Sequence, residues 1–246
     1  MVNNFILVGA SSEFANSYIK KCKEHKYNIY CISRSFISEV SKSNQLVVTD
    51  YLKESDKIIK FIDQVDNSYV IFFNGYLAEN RKKQYPNFEE IKKTIFINYS
   101  IPLTITKHLS KSKKINKFIY ISSMAAVKFR YKNYYYGFSK KILEESVKAI
   151  HGIKFLIIRY GQIHTRMSYW HTAPPFSFDP EKASEILRKS IEKEGIIYPN
   201  YKLLIMSLLI QFIPIKFIDL IEQRMSSWIL KCLKIFQVIF ILIFCC

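Results

Sequence analysis

Short runs of consecutive apolar residues recur along the chain and alternate with stretches of helical spacing. FILVG (5–9), YNIYCI (27–32), QLVVT (45–49), SYVIFF (68–73), KFIYIS (117–122), IKFLIIRY (153–160) and GIIYP (195–199) read as strands. Helices are predicted over 13–25, 53–65, 87–110, 135–150 and 179–195, the last with Asp179 as N-cap and Gly195 as its stop. Strands apolar on both faces, alternating with helices, predict an α/β fold: a doubly wound parallel sheet of about seven strands with helices on both faces. In such a fold ligands lie at the carboxyl ends of the strands. No internal repeat or low-complexity linker divides the first 200 residues.

The end of the chain is different in kind. LLIMSLLIQFIPIKFIDLI (203–221) and WILKCLKIFQVIFILIFCC (228–246) are far more apolar than what precedes them. A spanning helix needs about 20 apolar residues, but Pro214 and Lys216 interrupt the first stretch, and Lys231 and Lys234 the second. The expectation is a domain over 1–200 and an apolar helical extension over 201–246. Its segment 203–246 is read as a packed or interfacial helix pair making peripheral membrane contact, with a true span and a dimer contact as the alternatives.

Charge and cysteines narrow the setting. The formal net charge is +17. The lysines are scattered, which describes a solvated surface, a phosphate-bearing ligand or an anionic membrane, and there is no recognition motif for nucleic acid. Cys22, Cys31, Cys232, Cys245 and Cys246 form no metal-ligand spacing, so no metal is expected. The start lacks a basic leader, and a reduced, cytoplasmic protein is expected, including one at the cytoplasmic face of a membrane.

Candidate chemistry collects at the strand ends. VGASSEFA (8–15) joins the first strand to the first helix, where backbone amides and the helix dipole can cradle a phosphate. Gly9, Gly75, Gly137 and Gly161 stand at strand ends or beside the tyrosine run, where tight turns need glycine. Arg34 follows the second strand with no acid at 32–35, a pattern that suits a 2′-phosphate in a dinucleotide fold. In YYYGFSK (134–140), Tyr134 and Tyr135 lead at i+4 to Phe138 and Ser139, and only Tyr136 leads to a cation, Lys140. A cation one turn away favours the phenolate. Ser123 closes the fifth strand in FIYISSM, and Asn98 interrupts an apolar helix in TIFINYSIP.

Together these residues resemble the short-chain dehydrogenase/reductase family over about residues 3–200. GASSEFA is similar to its cofactor turn, Asp50 in VVTD to its adenine-contacting acid, and IRYGQIHTRM (158–167) to its segment after the sixth strand. Asn98, Ser123, Tyr136 and Lys140 match its catalytic tetrad in order and spacing. The resemblance implies a Rossmann-type fold and a nicotinamide cofactor, NADP by Arg34 with NAD as the alternative. It implies cofactor contacts from Gly9, Ser11, Ser12, Phe14, Arg34, Asp50, Asn74, Gly75, Tyr136, Lys140, Gly161, Ile163 and Thr165. Three features depart from the family pattern: Glu13 and Ala15 replace glycines in the cofactor turn, Phe-Phe-Asn-Gly (72–75) replaces Asn-Asn-Ala-Gly, and Tyr160 replaces proline.

By the same resemblance, Tyr136 is the general acid in reduction. Lys140 lowers its pKa and holds the nicotinamide ribose, Ser123 binds the substrate carbonyl, and Asn98 supports a water-mediated proton path. Gly137 is read as leaving room beside the reactive phenol. Substrate choice is expected from 165–185, including Trp170, His171 and Phe176, and His164 and His171 are read as loop or surface residues. The C-terminal stretch is similar to a family subset that includes reductases of lipid-linked sugars and some steroid or fatty-acyl reductases. The expected function is hydride transfer between NADPH and a carbonyl or alcohol, on a small-molecule or lipid-linked substrate such as a surface-glycan precursor, in a homo-oligomer. A catalytically weak binding protein and a sugar-nucleotide epimerase or dehydratase are the competing readings.

Overall fold

The strands are short and strictly two-faced. In β1 (Asn4–Val8), Phe5 and Leu7 face one hydrophobic core while Ile6 and Val8 face another, as the two-residue period of a strand requires. A computed structural model describes residues 3–51, 53–78, 85–169 and 176–218. Beyond β1 it contains β2 (Asn28–Ser33), β3 (Gln45–Val47), β4 (Ser68–Phe72), β5 (Ile115–Ser123), β6 (Phe155–Tyr160) and β7 (Gly195–Ile197). The helices are α1 (Glu13–Glu24), α2 (Ser55–Asp63), α3 (Phe88–Ile95), α4 (Ile101–Leu109), α5 (Tyr134–Lys148), α6 (Pro180–Ser190) and α7 (Tyr201–Phe212).

The strands form one seven-stranded sheet in the order β3-β2-β1-β4-β5-β6-β7, with every pairing parallel. The chain winds outward from β1 in one direction to β3, then returns to β4 and winds in the other. The reversal leaves a crevice beyond the carboxyl ends of β1 and β4, where open α/β sheets bind ligands. One core lies between the sheet and α1, α6 and the start of α7, including Tyr18, Tyr160, Leu187 and Leu203. The other lies beneath α2, α4 and α5, including Ile58, Ile62, Ile105, Leu143 and Val147. The doubly wound expectation is met.

Several boundaries differ from the sequence reading. The helix expected over 87–110 is α3 and α4 joined by a π-helical turn, Phe96–Ser100. The Ile101 amide reaches back to the Phe96 carbonyl, and Pro102 offers no amide to the Asn98 carbonyl, so the regular ladder cannot continue through this point. The helix expected over 179–195 ends at Ser190. Gly195 therefore does not stop it, but opens β7 with a positive φ of 77°. Asp179 occupies the N-cap position without a side-chain cap bond, and Pro180 starts the helix. Of the apolar stretch 203–221, α7 takes the first part and ends before Pro214; residues 228–246 lie outside the described residues. Among the described residues no helix is long and apolar enough to cross a membrane.

Candidate active site

Ser123 is the last residue of β5, and its hydroxyl caps the short 3₁₀ turn Met124–Ala126 by accepting from the Ala125 amide at 3.2 Å. Helix α5 begins beside this turn, and its first turn sets the Tyr136 phenol near the Ser123 hydroxyl, which draws the phenol's pKa down. One turn further, the Lys140 ammonium donates to the Ile121 carbonyl at 2.9 Å and lies 5.9 Å from the centroid of the Tyr136 ring. Lys140 is 5% exposed. Tyr134 is exposed and packs edge-on against Phe129 and Tyr135. Helical spacing and tertiary packing therefore select the same tyrosine.

The electrostatics correct one expectation. Burial pushes the Tyr136 phenol up to about 12, opposed by the nearby Ser123 hydroxyl. Lys140 was expected to depress the phenol, but its ammonium is engaged by the Ile121 carbonyl and burial dominates. Burial also lowers Lys140 to about 8, with Glu144 opposing. At neutral pH the pair is a protonated phenol beside a buried ammonium, which is the acid form of the couple.

Gly137 has a different role from the one its position suggested. A Cβ there would lie 2.5 Å from the Ala125 carbonyl oxygen. The glycine admits the backbone of the Ser123 turn, not space beside the phenol, and so brings α5 and β5 into hydrogen-bonding range.

Asn98 is 1% exposed, in the π-helical turn. Its Nδ2 donates to the Tyr76 carbonyl at 2.7 Å and to Ser139 Oγ at 3.1 Å, and its Oδ1 accepts from the Tyr76 amide at 3.0 Å. The side chain is committed to holding the segment after β4 against α5.

The residues expected to face a dinucleotide gather around Gly9. Its φ is 82°, and a Cβ would lie 2.6 Å from the Asn74 amide nitrogen, so only glycine lets the turns after β1 and β4 meet. The amides of Gly9 and Ala10 donate to the Ile32 carbonyl, tying this turn to β2. Ser11 is half-buried in the same turn. Ser12 caps α1 by accepting from the Ala15 amide at 3.1 Å. Phe14 packs edge-on against Phe73 and Tyr160, so its side chain belongs to the core and only its backbone can face a phosphate. Arg34 is exposed at the end of β2, and the Tyr51 hydroxyl beside it donates to the Ile32 carbonyl. Asp50 lines a cavity of about 540 Å³ with Tyr76, Lys93 and Phe96.

Beyond β6, a Cβ on Gly161 would meet the Phe176 carbonyl at 2.9 Å, and Ile163 bridges Phe178. Thr165 donates its amide to Ser168 Oγ, which donates to the Ile163 carbonyl. Met167, on this segment, approaches the place of a Gly75 Cβ at 3.4 Å. His164 is exposed; Trp170 and His171 lie outside the described residues. The Tyr160 departure has a packing reason: the ring meets Phe14 and Phe178, and its hydroxyl donates to the Ala183 carbonyl at 2.9 Å.

The crevice fits a dinucleotide. The first-turn amides of α1 have no intrahelical acceptors, the Gly9 turn leaves a side-chain-free approach, and the buried Asn74 Oδ1 finds no hydrogen-bond partner among the described residues.

Sequence reasoning missed four supporting groups. Glu54 accepts from Thr49 and from the Asp50 amide, fixing the turn that carries Asp50; these bonds hold its carboxyl down at about 2. Ser168 ties together the segment after β6. Glu13, which stands in place of a glycine in this turn, faces Arg166, whose Nε donates at 2.6 Å and whose amide donates at 2.8 Å. Glu144 forms a buried ion pair with Arg159. The spacing Lys140–Glu144 is visible as another i+4 pair, and the Glu54 and Ser168 bonds are local, whereas Arg166 lies far along the chain from Glu13, and Arg159 from Glu144 on another element.

No protein-family model matches the sequence, and no curated protein does either. Solved structures do. A short-chain dehydrogenase from Burkholderia cenocepacia J2315, solved in complex with NADP, superposes with a TM-score of 0.69 at 13% identity, covering 91% of this chain and 98% of that one. The carbonyl reductase Sniffer of D. melanogaster gives a TM-score of 0.65 at 16% identity, covering 81% and 97%. A 3-ketoacyl-(acyl-carrier-protein) reductase from Brucella melitensis, complexed with NADH, gives 0.63 at 12% identity, covering 80% and 97%. The chain thus has the Rossmann-type fold of the short-chain dehydrogenases and reductases, over nearly the full length of each of these proteins.

Proposed function

We propose that the chain is a nicotinamide-dependent oxidoreductase of the short-chain dehydrogenase/reductase family, reducing a carbonyl with NADPH. The observation that carries this reading is the convergence of Ser123 and Tyr136, with buried Lys140 one helical turn on, at the carboxyl ends of a parallel sheet. The cofactor, when bound, supplies hydride to the carbonyl carbon. Tyr136 gives its proton to the carbonyl oxygen, and the Ser123 hydroxyl donates to the same oxygen as charge develops there. Lys140 places a positive charge near the phenol and would hold the nicotinamide ribose of a bound cofactor. Exposed Arg34 supports NADP over NAD, because a guanidinium pairs with a 2′-phosphate. NADPH titration followed by a carbonyl screen tests the reading. Binding with turnover supports it; binding without turnover of any carbonyl supports the non-catalytic alternative.

We further propose that the enzyme works at an anionic membrane surface on a lipid-linked or otherwise apolar substrate. Leu208, Leu209 and Phe212 on α7 are exposed, Phe212 by 86%, and Ile215 and Phe217 continue the apolar surface. Residues 201–218 contain no acid, and Lys202 and Lys216 flank the patch. Apolar area bordered by lysines fits an anionic bilayer. Co-sedimentation of the full chain with phosphatidylglycerol vesicles checks this. Leu208→Glu with Phe212→Glu is expected to abolish binding; unchanged sedimentation of that variant would overturn the membrane reading.

A further inference from the structure

The active-site lysine stands on a buried charge network that the tetrad does not include. Glu144, 1% exposed, follows Lys140 by one turn of α5. Its carboxylate accepts from Ser122 Oγ at 2.6 Å, from Arg159 Nε at 3.0 Å and from the second guanidinium nitrogen at 2.5 Å. Arg159 in turn donates to the Tyr198 hydroxyl at 2.6 Å. Ser122 and Arg159 are register partners across β5 and β6, and Ser122 directly precedes Ser123.

A buried carboxylate is costly unless paired, and the Arg159 fork satisfies it. The placement of the pair is asymmetric towards Lys140. The carboxylate is on the lysine's own helix face, while the guanidinium lies behind it on β6. Tyr136 and Glu144 on α5 are the titratable groups that act on Lys140, and Arg159, which holds Tyr198, is bonded to Glu144.

We propose that Glu144 is a positioning residue: it keeps the buried Lys140 ammonium charged at working pH and, through Ser122, holds the Ser123 end of β5 against α5. This rests on the oxidoreductase reading only for its consequence in catalysis. The electrostatic claim concerns Lys140 in the free protein. Burial alone drives Lys140 towards its neutral form, and Glu144 is the group that opposes it. Losing the carboxylate removes that opposition to burial, so the titration of Lys140 moves to lower pH by about one unit.

The test compares wild type, Glu144→Gln, and the double variant Glu144→Met with Arg159→Met, which removes the pair without stranding a buried charge. NADPH affinity is measured by calorimetry from pH 6 to 10. The wild type should lose affinity as pH rises past about 8; in both variants the midpoint should fall, more in the single variant. If Glu144 only braces the fold, the double variant restores the wild-type midpoint, and that result would overturn the proposal. A wild type that bound no NADPH at any pH would sink the oxidoreductase reading instead. The Glu144 claim would then be read from melting temperature against pH, each protein compared with its Lys140→Met counterpart. The stability gained as Lys140 deprotonates should begin at lower pH in the Glu144 variants, and an unmoved onset would overturn the claim.

Discussion

Gly137 lies so close to Ala125 that a single added carbon on the glycine would stand 2.5 Å from the alanine carbonyl oxygen. That approach lets the first turn of α5 meet the end of β5, and the placing of Tyr136 beside Ser123 depends on it. Gly137→Ala is therefore expected to push α5 outward by a few tenths of an ångström or more. Stability should fall by about 1–3 kcal/mol, as for other overpacked sites, and kcat should fall by about tenfold or more with little change in NADPH affinity. Thermal melting and steady-state kinetics check both.

Tyr136→Phe removes the proton donor and leaves the cofactor crevice intact. Turnover should disappear while NADPH binding, followed by nucleotide fluorescence, stays within about twofold of wild type. Near-normal turnover in this variant would refute the assignment.

Two shifts set the pH profile of reduction. Lys140 is lowered to about 8, so its charge is present below that value and lost as pH rises through it. Tyr136 is raised to about 12, so the phenol stays protonated well beyond. The basic limb of kcat/KM should therefore fall near pH 8 and belong to Lys140. The linkage sign is opposite for stability. A lysine lowered in the folded state penalises folding while it is charged, so the penalty is full below about 8 and relieved as pH rises towards its ordinary value of 10.5. The wild type should gain stability over that window relative to Lys140→Met, as measured by denaturant unfolding.

Gly9→Ala forces a side chain into a left-handed backbone with the Asn74 backbone 2.6 Å away. The turn after β1 must separate from the turn after β4. A loss of about 2 kcal/mol or more is expected, with NADPH affinity reduced about tenfold or more, measured by chemical unfolding and nucleotide titration.

Glu13 and Arg166 offer a double-mutant cycle. Arg166→Ala leaves the Glu13 carboxylate without that partner beside the first-turn amides of α1 and, on the proposed function, should weaken NADPH binding about two- to fivefold. Adding Glu13→Gly should restore it. The effect is small because the pair is largely exposed.

The local spacing of residues already determined much of this protein. Seven apolar runs alternating with helical stretches specify a parallel, doubly wound sheet, because only a strand covered on both faces needs to be apolar throughout. The i+4 step from Tyr136 to Lys140 selected one phenol of three, because a helix puts those positions on one face whatever surrounds it. What tertiary structure alone decided are relations between segments far apart in the chain. Asn98 in a π-helical turn binds Tyr76 and Ser139. Gly137 makes room for Ala125 rather than for the phenol. Gly195 begins a strand instead of ending a helix. Arg159 and Ser122 converge on Glu144 beneath the lysine. Hydrophobic period and helical pitch repeat locally and can be read along the chain. The charge state of a buried phenol or ammonium depends on what packs around it, and that exists only once the chain has closed on itself.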